Sequence, residues 1–298
     1  MAEVKGKSIR IAGKHICTVN VPALIRMILL TALALFMILP LVYIISTSLK
    51  PLDELYLFPP KFITTRPTFS NFRDLFSALD GASVPFARYF FNSFMVSVLT
   101  VLGTVLVCCM GAYGLVKHRP KGSGFIFSLI LAALMFSGQV TLIPSYIVIK
   151  TLGLLDTIWA LIIPKIGVAF NFFLVKQFLE QMPETYLEAA RLDGASEWTI
   201  FWKIVMPYIK SATATLVVFS FTASWNDYLG PVIYLQSDAL KTLPLAVQTI
   251  AGGAGAASLA TAGAMAAAAF VTVFPTIIVY TVMQGKVMNT MAHSGIKE

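Results

Sequence analysis

Two charged side chains lie inside apolar runs that are long enough to cross a lipid bilayer. Lys165 is the one charged residue of Thr157–Val175, and Asp227 is the one charged residue of Ser211–Gln236. A charge at the middle of a bilayer costs about 2.5–3.5 kcal/mol on insertion scales, so it needs a reason to be there. Either the two groups line a polar cavity or pair with each other, or Asp227 caps its helix while Lys165 reaches to the membrane surface.

Uncharged polar residues in or beside the same runs form a second group of candidates. Their side chains donate and accept hydrogen bonds, and the aromatic ones also present a flat apolar face. Inside a membrane, such groups are expected to face a cavity or another helix rather than lipid. We therefore expect the cavity to include Gln139, Asn171, Trp225, Asn226 and Tyr228.

The sequence offers no constellation typical of an enzyme or a metal site. It has three His, all outside the apolar runs, and no HExxH, GxSxG or clustered-carboxylate pattern. Its three Cys have neither disulfide-framework nor metal-ligand spacing. Gly6-Lys7-Ser8 matches the end of a P-loop, but the upstream Gly would fall at Met1; Gly253-x-Gly255 lacks the third Gly of a dinucleotide motif at Ser258. We predict no catalytic residue, metal or cofactor in this chain.

Composition predicts an all-α integral membrane protein. Charged residues make up 12% of the 298, hydrophobic ones 57%, and mean hydropathy is +0.81. Soluble domains have about 25% charged and 45–50% apolar residues, so a soluble enzyme, a disordered chain and a nucleic-acid-binding domain are excluded. Six segments are long enough to be transmembrane helices: Met27–Leu49, Tyr89–Val116, Gly122–Ile149, Thr157–Val175, Ser211–Gln236 and Thr261–Met283.

The distribution of Lys and Arg predicts the orientation. Residues 1–26, 117–124, 176–210 and 284–298 hold 14 of the 22 Lys and Arg, whereas 47–88, 150–156 and 237–260 hold 7. Because basic loops stay in the cytoplasm, the first set and both termini are expected to be cytoplasmic. The net charge of +8 is then explained by topology, and nucleic acid is not an expected partner.

These features divide the chain into parts. We expect a cytoplasmic N-terminal segment at 1–26, a first transmembrane helix at 27–49, and an extracytoplasmic cap segment at 50–87. The cap segment is rich in Pro and aromatic residues, which favour ordered structure over a flexible linker. A transmembrane domain at 88–285 follows, containing the cytoplasmic loop 182–207, and a cytoplasmic tail occupies 286–298.

Loop 182–207 predicts a helix–turn–helix. Pro183 and Glu184 suit a first helical turn, after which Leu187, Ala190 and Leu192 form an apolar side. Gly194 is expected to end this helix, and Ser196 to cap a second one that starts at Glu197 and presents Trp198 and Phe201 among other apolar residues. The residues alone leave two interpretations open: the loop docks a cytoplasmic partner, or it packs on its own helix bundle.

The same loop carries a recognisable motif. Glu188-Ala189-Ala190, then Gly194, then Ile204-x-x-Pro207 resembles the EAA signature of ABC-importer permease subunits, with Met206 where the family usually has Leu. Further matches point to the MalG-like permeases of carbohydrate importers, and they are firmest across 88–285: Asn92-Ser93, Gln139–Tyr146, Leu152–Thr157, Trp225–Tyr228, Lys241–Pro244 and Ser294–Lys297.

The resemblance implies a permease subunit, in a bacterial or archaeal cytoplasmic membrane, that moves a sugar or oligosaccharide by alternating access. Its expected partners are a second homologous permease, two cytoplasmic ATP-binding subunits that bind ATP and Mg, an extracytoplasmic solute-binding protein, and membrane lipid. Glu188, Ala189, Ala190, Asp193, Gly194, Ile204 and Pro207 would couple the chain to an ATP-binding subunit. The tail Gln284–Glu298 would also reach those subunits, although Thr290 replaces an expected Gly.

Two alternatives remain beside this interpretation. One is an ABC permease for a non-sugar solute such as glycerol phosphate, which the EAA motif does not distinguish. The other is an autonomous secondary transporter, which needs its own coupling-ion site. Lys165 and Asp227 are the two charges inside the predicted spans, and they supply little for such a site.

Overall fold

The computed structural model describes residues 21–55, 57–80, 84–252 and 260–295. Gly6-Lys7-Ser8, Cys17, Gly253 and Gly255, singled out in the sequence, lie outside these residues. The described parts of the chain form helices and turns, with no strand among them. The α-helices are α1 Val21–Ser48, α2 Leu52–Leu55, α3 Ser70–Asp80, α4 Phe86–Tyr113, α5 Ser123–Leu134, α6 Gly138–Thr151, α7 Trp159–Ile166, α8 Ala169–Glu180, α9 Thr185–Leu192, α10 Glu197–Ile200, α11 Met206–Tyr208, α12 Lys210–Trp225, α13 Leu229–Tyr234, α14 Leu243–Gly252 and α15 Ala260–Gly295.

Four stretches are helical, long and apolar enough to cross a membrane: Pro22–Ser48, Phe86–His118, Trp159–Glu180 and Ala262–Met288. Two further pairs of helices pass the same test only when each bent pair is taken as one span, which makes up to six. The prediction of an all-α protein with several membrane-spanning helices is therefore confirmed, but the spans are less regular than the apolar runs indicate.

The third predicted span, Gly122–Ile149, is two helices rather than one. α5 and α6 meet at an angle of 114° across the break at 135–137. Ser137 has extended backbone (φ −72°, ψ 150°) and α6 starts at the next residue, Gly138. Pro144 lies inside α6, past this break. Polar Ser137 and flexible Gly138 interrupt the helix where composition shows only an uncharged run.

The fourth and fifth predicted spans are also interrupted. α7 ends at Ile166, two residues past Pro164, and the chain turns at Gly167 before α8 continues to Glu180 rather than Val175. α12 has 16 residues, which is about 24 Å of helix and less than the bilayer core. It ends at Trp225, and α13 restarts at Leu229. Ser211–Gln236 is therefore not one continuous helix.

α4 lies at the centre of the bundle and packs against α7, α8 and α12. Its buried face carries small polar residues, including Ser97, Thr100 and Thr104, all at 1% exposure or less. A Cβ atom at Gly103 would lie 2.7 Å from the Ile166 side chain. Small residues at these positions let the neighbouring backbones approach closely, as is usual between membrane helices.

Sequence motifs that are far apart in the chain meet at one end of α4. The Asn92 side chain donates to the carbonyls of Ala239 (2.8 Å) and Lys241 (2.9 Å). Ser93 Oγ accepts from the backbone N–H of Leu243 at 2.7 Å. These bonds join Asn92-Ser93 to the Lys241–Pro244 motif. Both motifs therefore help to hold the loop before α14 in place.

The turn at Asp156 anchors the same region from another side. Asp156 has a left-handed backbone (φ 57°), and its Oδ1 accepts from the backbone N–H groups of Gln236 and Ser237, each at 2.9 Å. Bonds from the Ser237 hydroxyl and from these N–H groups hold the pKa of Asp156 below its ordinary value. The turn between α6 and α7 is thereby fixed to the segment after α13.

Hydrogen bonds from buried Asn71 hold the cap segment to the end of α1, and α3 of the cap segment packs on α15. Asn71 Nδ2 donates to the carbonyls of Ser48 (3.0 Å) and Lys50 (2.7 Å). Lys50, 2% exposed, donates to the Lys61 carbonyl. A Cβ atom at Gly263 in α15 would lie 2.2 Å from Asn71 Oδ1. The absence of a side chain at Gly263 is what allows α3 to dock on α15.

Helix α15 extends beyond the predicted sixth span. It runs to Gly295 and includes Pro275, whereas the sequence predicts a span ending at Met283 and a separate tail from residue 286. Val287 is 7% exposed, so the start of the predicted tail is part of the packed helix. Residues 296–298 lie outside the described part of the chain.

Candidate functional site

A Schellman motif ends the first helix of loop 182–207. Gly194 has φ +77°. The N–H of Gly194 donates to the Arg191 carbonyl, and the N–H of Ala195 donates to the Ala190 carbonyl, both at 3.0 Å. A positive φ at this position favours glycine, because other L-residues crowd the following carbonyl. The sequence prediction that Gly194 ends the helix is confirmed.

The second half of the loop begins at the predicted cap. Ser196 Oγ accepts from the backbone N–H of Thr199 at 3.3 Å, and α10 starts at Glu197. The chain continues as a π-helical turn, Phe201–Val205, then as α11. Ile200, Phe201, Val205 and Ile209, all 3% exposed or less, pack with Cys108–Tyr113 of α4 and with α8. This half of the loop is therefore fastened to the bundle.

The first half presents an open surface. Glu188, Ala189, Asp193 and Gly194 are exposed, whereas Ala190 is buried. Leu192, expected on the apolar inner side, is instead 89% exposed because the helix ends there and turns it outward. Tyr186 and Trp198 are also more than half exposed. Exposed large apolar side chains grouped around two acids are typical of an interaction surface. Of the two remaining predicted residues, Ile204 packs on the core and Pro207 lies exposed in α11.

The sequence analysis missed the hydrogen-bonded centre of this loop. Glu197 accepts from Tyr113 Oη at 2.6 Å and from Arg191 Nε at 2.8 Å, and His118 Nε2 lies 3.5 Å from it. Arg191 is in α9, Glu197 is in α10, and Tyr113 ends α4, so one carboxylate joins three helices. The Tyr113–His118 stretch contains the π-helical turn Gly114–His118. Side-chain partners in three segments leave no sequence pattern by which to find them.

Lys165 and Asp227 form an ion pair within the bundle. Lys165 Nζ donates to Asp227 Oδ2 at 2.6 Å, with side-chain exposures of 23% and 16%. Asp227 Oδ1 also accepts from the N–H of Gly230 at 3.0 Å, at the start of α13. Of the alternatives left open by the sequence, pairing and capping both occur. The pair links the end of α7 to the break between α12 and α13.

A cavity of about 600 Å³ lies beside this pair. Lys165 and Asn171 line it, together with polar and aromatic residues that the sequence analysis did not select, among them Thr100, Ser220, Phe170 and Phe219. Asn171 is 5% exposed and its Nδ2 lies 3.4 Å from Ser220 Oγ. The lining combines hydrogen-bonding groups with aromatic rings, which suits a polar solute with apolar faces.

The other predicted pathway residues lie elsewhere. Trp225 is 1% exposed, stacks on Phe221, and donates its indole N–H to the Thr272 carbonyl at 2.7 Å; it is a core residue. Asn226 is exposed and donates to the Thr222 carbonyl at 3.1 Å. Tyr228 lines a separate cavity of about 310 Å³, and Gln139 is exposed in the first turn of α6. The structure thus brings together Lys165, Asn171 and Asp227 and separates the rest.

Among the described residues, no group of three or more His, Cys, Asp or Glu is placed to hold a metal ion. Cys108 and Cys109 are free and buried in α4. Cys109 Sγ lies 4.0 Å from Thr213 Oγ1. Both thiols are packing residues of the core around the C-terminal end of α4.

Comparison with known proteins connects this geometry to one family. The sequence model for "Binding-protein-dependent transport system inner membrane component" matches residues 15–287. The inner membrane ABC transporter permease protein YcjP of Escherichia coli (strain K12) is 30% identical over 270 residues, 89% of this chain and 94% of YcjP. The polygalacturonan/rhamnogalacturonan transport system permease protein YtcP of Bacillus subtilis (strain 168) is 34% identical over 212 residues, 69% of this chain and 70% of YtcP.

One further relative and one solved structure are named for the solutes that they transport. The sn-glycerol-3-phosphate transport system permease protein UgpE of Yersinia enterocolitica is 33% identical over 202 residues, 68% of this chain and 71% of UgpE. A chain of a bacterial ABC transporter "involved in the import of the acidic polysaccharide alginate" has a TM-score of 0.77 and 26% identity. That match covers 89% of this chain and 96% of the other.

Proposed function

Because the chain belongs to the family of binding-protein-dependent transport system inner membrane components, we propose that it is the permease subunit of an ATP-driven ABC importer for a sugar or oligosaccharide. The observation that carries the proposal is the match over nearly the whole chain, in sequence and in fold, to an importer of a polysaccharide. A similar relative, YtcP, is also named for carbohydrate transport.

Glycerol phosphate is the second candidate solute, since UgpE is nearly as similar to this chain. The charge of the 600 Å³ cavity favours a sugar over a phosphate monoester. Among the residues that line it, Lys165 is the one charged group, and Asp227 neutralises it. A doubly charged phosphate would enter a low-dielectric site with no unpaired cation from this chain, which is costly.

The proposed partners are a second homologous permease, two cytoplasmic ATP-binding subunits and an extracytoplasmic solute-binding protein. The exposed acids and apolar side chains around Gly194 support docking of an ATP-binding subunit on loop 182–207, because nothing in the described chain covers them. ATP and Mg then belong to that subunit. The residues proposed for coupling are Glu188, Ala189, Ala190, Asp193, Gly194, Ile204 and Pro207.

The two halves of loop 182–207 suit a coupling role. The first half is exposed and rigidly capped, and the second half is buried against α4 and α8. A displacement of the first half by a partner is therefore carried into the bundle rather than absorbed by a flexible hinge. We propose that this motion alternates access to the cavity beside Lys165 and Asn171, with the termini and loop 182–207 in the cytoplasm and the cap segment, 50–87, outside.

The proposal is tested by reconstituting the chain in proteoliposomes with the second permease, the ATP-binding subunits and the solute-binding protein. ATP-dependent uptake of labelled oligosaccharides is expected, with glycerol 3-phosphate transported poorly. Uptake of glycerol 3-phosphate in preference to every sugar would replace the carbohydrate assignment by the second candidate.

The same system tests the separate transporter alternative. The chain reconstituted alone should show no solute flux, because in the proposed importer transport is driven by separate ATP-binding subunits. Flux by the lone chain, driven by an ion gradient, would contradict the permease-subunit assignment.

A further inference from the structure

A basic cavity at the end of α4 has no part in the function proposed above. It has a volume of about 270 Å³ and lies between the turn that follows α4, the start of α5 and the end of α8. Its lining includes three cationic side chains and one carboxylate. The residues on which the argument depends are Lys117, Arg119, Ser123, Gly124, Lys176 and Glu180.

The positive charges in this cavity exceed the negative charge. Lys176 pairs with Glu180 at 2.7 Å and lies over the Phe127 ring, 3.6 Å from its centroid. Lys117 donates to the Met182 carbonyl at 2.7 Å, a neutral acceptor that leaves its charge uncompensated. Arg119 makes no ion pair with the described residues and has a hydrogen bond to the Val116 carbonyl. Two cations are thus available to an anion.

Backbone N–H groups at the start of α5 also favour an anion in this cavity. α5 is a 12-residue helix whose N-cap, Gly122, has φ +88° and no side-chain cap. Ser123 and Gly124, in the first turn of α5, line the cavity. The Ser123 N–H donates to the Pro120 carbonyl at 2.9 Å. The other first-turn N–H groups of a helix lack partners within it and favour an anion at that end. Arg119 is held in a left-handed conformation (φ 44°), a strained state for a residue other than Gly that is often retained at binding sites.

The position of the cavity indicates the source of the anion. The cavity lies at the turn, residues 114–122, that joins the apolar helices α4 and α5. A turn between two apolar helices is expected at the edge of the hydrocarbon region. Basic pockets between transmembrane helices at this depth suit anionic lipid headgroups. We propose that this cavity binds the phosphate group of an anionic membrane phospholipid. The residues that line this cavity are separate from those that line the 600 Å³ cavity beside Lys165 and Asn171.

Lys121 provides a way to distinguish a lipid-binding site from a basic loop that only sets the orientation of the chain in the membrane. Lys121 lies in the same basic loop as Lys117 and Arg119 but does not line the cavity. A loop that only fixes orientation uses all three charges alike. A phosphate site uses Arg119 and Lys117 and not Lys121, so Lys121→Gln is a matched control for Arg119→Gln.

The experiment is native mass spectrometry of the full chain, purified in neutral detergent and titrated with phosphatidylglycerol or phosphatidylcholine. We expect the wild type to retain phosphatidylglycerol in preference to phosphatidylcholine. Arg119→Gln should weaken phosphatidylglycerol binding about fivefold, and Lys121→Gln less than about twofold. Circular dichroism and gel filtration establish that both variants fold.

A parallel titration with inorganic phosphate distinguishes the two sources of the anion. If inorganic phosphate binds in an Arg119-dependent way and phosphatidylglycerol does not, the lipid assignment is overturned. Equal weakening of phosphatidylglycerol binding by Arg119→Gln and Lys121→Gln, or no preference for phosphatidylglycerol in the wild type, overturns the site itself. Sugar uptake is a separate readout, so failure here leaves the importer assignment untouched.

Discussion

At the scale of single residues, several polar groups in the interior have partners in other segments of the chain. Lys165 and Asp227 are 62 residues apart and form one ion pair. Glu54, 2% exposed, accepts from Thr64 and Thr65 across the cap segment. In a low-dielectric interior, losing one member of such a set leaves the other member unsatisfied, which costs more than the bond contributes.

The Lys165–Asp227 pair predicts a compensating double substitution. Lys165→Met or Asp227→Asn alone leaves one uncompensated charge, and each should lower stability by about 3 kcal/mol. The double variant Lys165→Met/Asp227→Asn removes both charges, and the Asn oxygen can still accept the Gly230 N–H, so most of the loss should be recovered. Thermal unfolding of the purified chain in detergent measures this; additive losses in the double variant would contradict a direct pair.

Glu54 predicts a pH dependence of the cap segment. Hydrogen bonds from the Thr65 and Thr64 hydroxyls lower its pKa from an ordinary 4.5 to about 2. Because the folded-state pKa is the lower one, the stabilisation is complete above pH 4.5 and is lost as the pH falls toward 2. The protection of residues 57–68 against hydrogen exchange, corrected for the pH dependence of the intrinsic exchange rate, should therefore fall across this window.

Glu54→Gln removes the titrating group and is the test of this assignment. The variant should show faster hydrogen exchange of the cap segment at pH 7. Its protection against exchange should also change less between pH 5 and pH 3 than that of the wild type. Asp53→Asn is the matched control, because it removes the neighbouring carboxylate and its solvent-exposed ion pair with Arg66 while leaving Glu54 in place. An unchanged acid transition in Glu54→Gln would assign the dependence to another group.

At the scale of elements, the positions of the helix breaks determine what each segment presents. The break after α9 turns Leu192 and Asp193 outward, the break after α12 places Asp227 against Lys165, and the break at 135–137 ends α5. The breaks after α12 and at 135–137 replace helices that hydropathy alone extends through the segment, whereas the break after α9 is the one that Gly194 predicts. Glycine, serine and asparagine at these points lower the free-energy cost of interrupting a helix, and tertiary contacts select where the interruption occurs.

Substitutions at Gly194 can distinguish the effect of backbone geometry on transport from the effect of side-chain size. Nothing lies within 4 Å of a Cβ built on Gly194, so within this chain a substitution acts through φ +77°. Asn tolerates this conformation and Val does not. We expect Gly194→Val to reduce coupled uptake about tenfold, which corresponds to about 1.4 kcal/mol.

Gly194→Asn serves as its partner variant and reports on the docked state. If the backbone turn is what matters, Gly194→Asn should retain most of the ATP-driven uptake while both variants insert normally. Loss of uptake in Gly194→Asn as severe as in Gly194→Val would show that a partner subunit needs the space that glycine leaves.

The Glu197 carboxylate predicts energetic coupling between α4 and loop 182–207. Tyr113→Phe removes one bond to Glu197, and Glu197→Gln weakens the bonds from Tyr113 and Arg191. A double-mutant cycle should give an interaction energy of about 1–2 kcal/mol. Tyr186→Phe, an exposed tyrosine of α9, should give about zero. Equal values for the two tyrosines in thermal unfolding would remove Glu197 from this role.

At the scale of the whole molecule, the bundle is incomplete as a single chain. Most of α1 is exposed apolar surface, and its buried residues are confined to its last turns. The 600 Å³ cavity is likewise not fully enclosed by the described residues. Lipid and a second permease would cover such surfaces, which is why the assembly, rather than the lone chain, is the unit that the transport experiments use.

The orientation proposed for the chain predicts which positions a membrane-impermeant thiol reagent reaches. In a variant with the native cysteines replaced, Ile63→Cys in the exposed part of the cap segment should be labelled in intact cells. Lys121→Cys, in the turn between α4 and α5, should be labelled only after permeabilisation. The reverse pattern would place loop 182–207 outside the cell and contradict docking of a cytoplasmic ATP-binding subunit.

The sequence by itself determined the class of the protein, its apolar segments and the helix–turn–helix around Gly194. These depend on local properties: hydropathy over about 20 residues, the conformational preference of glycine and the cap at Ser196. Only the tertiary structure decided that Lys165 pairs with Asp227, that Trp225 is a core residue and that Glu197 joins three helices. Those contacts join segments tens of residues apart, and a partner that distant leaves no periodic signal in one sequence.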